Sequence, residues 1–198
     1  MLSGTVICLA NYVNKEQICI DKMRTCCFTG HRNRDLPYEG DINTQGMKNL
    51  ISTVQLHCTA AYDAGCRYFI TGMAEGVDII CGAVILDMMG HREYSDVRLI
   101  CALPYAEQRR EIKNSRERYI HSILLEKAEY VVVTGKIGDR GRYRERNRFM
   151  VDNSSRLIAV YREKQSGSGT LQTINMAKRA GLAVHVIELD KNPQFYIR

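Results

Sequence analysis

The sequence predicts an α/β fold built on a doubly wound, mostly parallel sheet with helices on both faces. Three observations predict it. Short β-rich runs alternate with longer helical runs from residue 25 onward. Most of the β-rich runs are apolar nearly throughout, as strands covered on both faces must be. Glycine or polar residues follow run after run, and in such a sheet all strands end on the edge where ligands bind.

The strands are expected at residues 25–29, 68–71, 97–103, 130–134, 156–161 and 183–188. The helix after the first strand shows the clearest periodicity: Met47, Leu50, Ile51, Val54, Cys58 and Ala61 fall on one stripe. The last helix ends at Lys178-Arg179-Ala180-Gly181, where basic residues suit the helix dipole and Gly181 suits a left-handed cap. Alternating strands and helices imply right-handed crossovers. Ahead of this pattern, Thr5 to Ala10 and Gln17 to Ile20 read as strand-like, with Asn11 to Lys15 as a turn between them. That predicts an N-terminal extension over 1–24, as a hairpin or an added edge element. One domain over 25–190 and a short tail over 191–198 complete the expected organisation.

Composition narrows the class. A chain of 198 residues fits one domain, and 45% hydrophobic residues suffice for one sizeable core. The formal net charge of +6 favours mild attraction to anions. Eight cysteines form no C-x-x-C pair, and most fall in predicted strands or on apolar helix faces. Buried, reduced thiols, no metal site and a cytoplasmic location are therefore expected. Adjacent Cys26 and Cys27 would point to opposite faces of a strand. No signal peptide and no membrane span are expected, because no basic start leads into a long apolar run and no apolar run nears ~18 residues.

Candidate chemistry gathers after the strands. Gly30, His31 and Arg32 follow the first. Gly72, Met73, Glu75, Gly76 and Asp78 follow the second, Pro104 and Tyr105 the third, and Thr134-Gly135 the fourth. Ser166, Gly167, Ser168, Gly169 and Thr170 open the last helix. Glycines let the backbone approach a ligand, and bare N–H groups at a helix start favour phosphate. Ser168 or Thr170 would otherwise serve as a helix cap. Glu75 and Asp78 either complement a helix dipole or accept from a ribose hydroxyl or a catalytic water. Tyr105 either packs or stacks on a base. Arginine recurs at 140, 142, 144, 146 and 148. In a helix, Arg140, Arg144 and Arg148 would stack at i, i+4, as would Arg142 and Arg146, at a cost of a few tenths of a kcal/mol per pair that a bound anion relieves.

Taken in order, these pieces resemble the SLOG superfamily, which joins the DNA-processing protein DprA, the LOG phosphoribohydrolases and YpsA-like proteins. The matching motifs are Cys27-Phe-Thr-Gly-His-Arg32, Thr71-Gly-Met-Ala-Glu-Gly-Val-Asp78, Leu103-Pro-Tyr105, Arg146-Asn-Arg148 and Ser166-Gly-Ser-Gly-Thr170. The pattern is most similar to the YpsA-like branch. The resemblance implies a Rossmann-like fold and a pocket for a nucleotide-derived ligand such as NAD, ADP-ribose or another nucleotide. Gly30, His31, Arg32, Gly72, Met73, Glu75, Gly76, Asp78, Pro104, Tyr105, Arg146, Asn147 and Ser166 to Thr170 are expected to bind it. It also implies a homodimer. Sensing or binding is the first expectation, LOG-like phosphoribohydrolase (N-glycosidase) activity the alternative, and DprA-like binding of single-stranded DNA a second alternative. The LOG motif ends in a catalytic glutamate, and Thr173 stands at that position here. Threonine is no carboxylate base near neutral pH, so Arg146, Glu75 and Asp78 are the candidates if the chain is an enzyme.

Overall fold

The computed structural model describes residues 11–163 and 168–198. Seven strands form one sheet: β1 (Tyr12–Val13), β2 (Thr25–Gly30), β3 (Tyr68–Thr71), β4 (Arg98–Leu103), β5 (Tyr130–Val133), β6 (Arg156–Tyr161) and β7 (Ala183–Glu188). Five α-helices alternate with them: α1 (Gln45–Asp63), α2 (Val77–Met89), α3 (Ser115–Lys127), α4 (Arg142–Asp152) and α5 (Gly169–Arg179). The strand order is β1-β5-β4-β3-β2-β6-β7, and every pairing is parallel. The α/β doubly wound architecture expected from the sequence is the one observed.

The sheet is sandwiched because successive strand residues face opposite sides. Cys26 and Phe28 of β2 pack with Met47, Leu50, Val54 and Cys58 of α1 and with α2 and α3. Cys27, between them, packs on the other face with Phe149 and Met150 of α4 and Ile174 and Ala177 of α5. The α1 stripe thus meets the core as its spacing predicted, with Ile51 only partly buried at its margin. Thr44 caps α1 by accepting from the Met47 N–H. At the end of α5, Gly181 takes φ +77°, and the Leu182 N–H donates to the Ala177 carbonyl to close the last turn.

The N-terminal expectation is corrected in part. Gln17 to Ile20 form no strand. Tyr12 and Val13, read as part of a turn, pair in parallel with β5 at the sheet edge, and Asn11 anchors them by donating to the Leu125 and Ala128 carbonyls. The strand read at residues 5–10 lies outside the described residues. The tail after β7 folds back in 3-10 turns, buries Phe195 completely, and accepts from the Gly46 N–H through the Ile197 carbonyl.

Cys26, Cys27, Cys58, Cys66, Cys81 and Cys101 are buried free thiols, while Cys19 is exposed. Burial pushes the Cys27 thiol up to about 12, which keeps it protonated and inert. Among the described residues, no group of three or more His, Cys, Asp or Glu is placed to hold a metal. No helix among them is long and apolar enough to cross a membrane.

The chain leaves β2 for β3 on one side, works outward to β5, then returns to β6 on the other side of β2. The loops after β2 and β6 therefore diverge, and the crevice between them is where an open α/β sheet binds ligands.

Candidate anion-binding site

That crevice holds a cleft of about 230 Å3. Four chain segments build it: the end of β2 with its following loop, the turn from β3 into α2, the first two turns of α4, and the start of α5.

The first two segments lock together backbone to backbone. A Cβ on Gly30 would sit 2.4 Å from Val77, and one on Gly76, where φ is +89°, would sit 2.6 Å from the His31 carbonyl. Glycine is required at both for α2 to start this close to β2. The Val77 N–H then donates to the His31 carbonyl at 3.1 Å. Glu117 of α3 braces the same junction from behind, accepting from Asn33 at 2.8 Å and from the Gly76 N–H at 3.1 Å. Burial pushes its carboxyl pKa up, and those two hydrogen bonds hold it back only in part.

Asp78 is buried in the first turn of α2. Its Oδ2 accepts from the Ala74 N–H at 3.2 Å and from Arg146 Nη1 at 2.9 Å. Arg146 reaches it from α4 and is only 5% exposed. Its Nε has no hydrogen-bond partner among the described residues. Nη1 also faces the Met150 thioether at 4.0 Å, so one carboxylate oxygen and one weak sulfur acceptor serve a buried guanidinium that offers five donors. Such a group lining a cleft is equipped to take a further anion.

One turn earlier on α4, Tyr143 lines the cleft. Three guanidinium carbons lie near its ring centroid: Arg142 at 5.3 Å, Arg32 at 5.9 Å and Arg146 at 6.0 Å, within cation–π range. Its hydroxyl donates to Glu111. Burial alone would raise the Glu111 carboxyl, but the Tyr105 and Tyr143 hydroxyls and the Arg142 charge hold it below the usual carboxylate range.

The wall opposite is the start of α5. Ser168 caps the helix by accepting from the Leu171 N–H at 3.1 Å, and Ser168, Gly169 and Thr170 line the cleft. Asn147 fixes this wall to α4. It donates to Thr173 Oγ1 at 2.8 Å, and Thr173 donates to the Gly169 carbonyl at 3.0 Å. Thr173 is thus a buried clamp between helices.

Of the residues singled out in the sequence, Gly30, His31, Arg32, Asp78, Arg146, Asn147, Ser168, Gly169 and Thr170 line the cleft together. Ser166 and Gly167 lie outside the described residues. The remaining candidates stand elsewhere. Gly72 lies beneath Arg146. Met73, at φ +60°, turns its side chain into the core. Gly76 shapes the turn rather than lining the cleft. Glu75 accepts from the Lys113 N–H at 3.2 Å, away from the cleft lining. Pro104 and Tyr105 are buried and do not line it; Arg142 covers the Tyr105 ring at 4.9 Å, and at 2% exposure that ring packs and offers no face to a base. The arginine run also divides. Gly141 at φ +82° starts α4 only at Arg142, so Arg140 lies off the helix and does not stack on Arg144.

Phe28, Thr29, Arg34, Asp35, Ala74 and Tyr143 line the cleft without having been among the expected ligand-binding residues. Helical spacing is the signal that would have found one of them, because Tyr143 is i−3 from Arg146.

The family model of YpsA, described as the YspA SLOG family, matches residues 26–192. UPF0398 proteins of Bacillus thuringiensis (strain Al Hakam) and Bacillus cereus (strain Q1) are each 24% identical over 164 residues, covering 80% of this chain and 85% of theirs. DNA processing protein A from Helicobacter pylori, a solved structure described for its single-stranded DNA binding mode, is similar with a TM-score of 0.53 and 16% identity. That likeness covers 83% of this chain and 65% of the other, and at this identity it bears on the fold alone. With the model match running over nearly the whole sheet and the cleft-forming loops, the chain belongs to the YpsA family of SLOG domains.

Proposed function

We propose that the chain binds a phosphate-bearing, nucleotide-derived ligand in the cleft between the ends of β2 and β6. The observation that carries this reading is Arg146: a guanidinium buried in the cleft wall, held by one oxygen of Asp78, with Nε unpartnered among the described residues. It stands with the start of α5, whose N–H groups and dipole favour an anion. Ligand binding rather than hydrolysis fits the places of the residues that the sequence offers for catalysis. Asp78 is committed to Arg146 and the Ala74 N–H, Glu75 to the Lys113 N–H, and Thr173 to two neighbours.

Calorimetric titration with AMP, ADP-ribose, cyclic ADP-ribose and NAD tests the reading. At least one should bind, and Arg146→Met or Thr170→Val should weaken it about tenfold or more, the loss expected for a charge-assisted contact. A folded protein that binds none of them would overturn the proposal.

Exposed arginines favour a second reading, binding of single-stranded DNA. Arg140, Arg144 and Arg148 are exposed around the α4 segment that supplies Arg146, and the similar Helicobacter pylori protein is described for single-stranded DNA binding. Binding of this kind should weaken with salt at a log–log slope of about −0.7 per phosphate contacted. A flat response would reject it. A homodimer is a separate proposal from the family resemblance, tested by sedimentation.

A further inference from the structure

α2 is apolar around nearly its whole circumference, with Asp78 and Asp87 as its charged residues. A helix of that kind is suited to being covered on every side. Its inner side is covered: Ile79, Cys81, Ile85 and Met88 sit in the core. Its outer side is covered only in part: Val84 is buried at 7% exposure, Ile80 and Ala83 are half-buried, and Asp87 is exposed. Ile80, Ala83, Val84 and Asp87 line an open groove of about 390 Å3, bordered by Ile51 of α1 and Ile120 of α3. The groove is larger than the anion cleft, at about 230 Å3, and shares no lining residue with it.

The four α2 positions follow an i, i+3, i+4, i+7 pattern and run about 10 Å along the helix. A stripe of this spacing and length matches the apolar face of two turns of another helix. Charge narrows the occupant. The groove carries three carboxylates, Asp41, Asp87 and Glu117, against one guanidinium, Arg116, on a chain of formal net charge +6. The Glu117 carboxylate is held in place by Asn33 and the Gly76 N–H. Docking the groove onto its counterpart in a second copy would bring twice three carboxylates against twice one guanidinium, and like charges facing each other oppose association.

We propose that this groove is the docking surface for a basic amphipathic helix of a partner protein. It rests on α2 and its neighbours, not on the anion cleft, so the two proposals stand or fall separately.

A synthetic probe tests it: a peptide of about 14 residues, near the length at which an isolated helix becomes marginal, with leucine on one face and lysine elsewhere. A second peptide replaces each lysine by glutamate. Fluorescence anisotropy should show the lysine peptide binding the full chain and the glutamate peptide binding at least about tenfold more weakly. Ala83→Arg, which fills the groove floor, should weaken the lysine peptide about tenfold or more, and Asp87→Lys, at an exposed position, several-fold. Asp87→Lys keeps the test alive if Ala83→Arg fails to fold, as monitored by circular dichroism. No binding of the lysine peptide, equal binding of both peptides, or binding indifferent to the folded variants would overturn the proposal. So would self-association in sedimentation that Asp87→Lys or Ala83→Arg changes, because the occupant would then be a second copy.

Discussion

A Cβ added to Gly72 would lie 1.1 Å from Nη1 of Arg146 and 2.6 Å from Oδ2 of Asp78. The guanidinium therefore crosses the backbone of the β3–α2 turn where any side chain would stand, and the missing Cβ is what lets an arginine from α4 reach an aspartate of α2. Gly72→Ala should expel Arg146 from its place. Binding of AMP or ADP-ribose should fall at least as far as in Arg146→Met. Stability should drop by about 3 kcal/mol, the cost of breaking a buried charge pair. Titration calorimetry and urea unfolding read the two effects, and unchanged binding in a folded Gly72→Ala protein would remove Arg146 from the site.

The pair itself predicts a non-additive pattern. Both partners are buried, and their separation is 2.9 Å. Asp78→Asn leaves the guanidinium without its counter-charge, and Arg146→Met leaves the carboxylate without its own. Each should cost about 3 kcal/mol. The double variant removes both charges and should cost less than the sum, with a coupling of about 1–3 kcal/mol in a double-mutant cycle. Strict additivity in urea unfolding would mean that the contact contributes no net stability.

Thr173 stands where the LOG pattern places its glutamate, and the structure gives its hydroxyl two duties at once. It accepts from Asn147 and donates to the Gly169 carbonyl, at 1% exposure. Thr173→Val keeps the shape and loses both bonds, so a loss of about 1–2 kcal/mol is expected. Thr173→Glu should cost more, because the site would have to take a larger, charged side chain into a buried helix–helix contact. It should also create no hydrolysis of AMP, measured by chromatography for free base. Free adenine released by that variant would show that one missing carboxylate is all that separates this cleft from an N-glycosidase.

Strands β2 to β6 were legible because they are largely buried on both faces, so their runs are apolar without alternation; the two-residue edge strand β1 carries no such run and was read as a turn. The edge strand β7 was legible for a different reason: its β-branched residues and the helix cap at Gly181 bracket it. The residues gathered at the cleft were legible at the ends of β2 and α5 and on α4, where a strand end or a helical spacing fixes direction. They were misread where backbone conformation turns the chain in ways composition does not announce. Met73 at φ +60° points into the core, Glu75 is carried toward Lys113, and Gly141 at φ +82° cuts Arg140 off from the helix. Tyr105 sits after its strand as expected, but Arg142, 37 positions later, covers its ring, and no local pattern encodes that contact.

His121 predicts a pH dependence. It lies on α3 at 1% exposure, and neither ring nitrogen has a hydrogen-bond partner among the described residues. Burial, with the charge of Arg109 adding to it, pushes its pKa from 6.5 down to about 4. The unfolded chain therefore holds the His121 proton between those two values while the folded chain does not. More protons bound by the unfolded state means that stability rises with pH. The contribution is fully present above the unfolded value and is lost as pH falls toward 4, by about 3 kcal/mol in all at 1.36 kcal/mol per pKa unit. Carboxylates titrate over the same window, so the measurement is a difference. His121→Leu removes both orphaned nitrogens and should be near neutral or stabilising at pH 7.5. Its advantage over the wild-type chain in urea unfolding should then widen as pH is lowered through 6 and 5. Parallel stability profiles for the two proteins would show that His121 is not held neutral by burial.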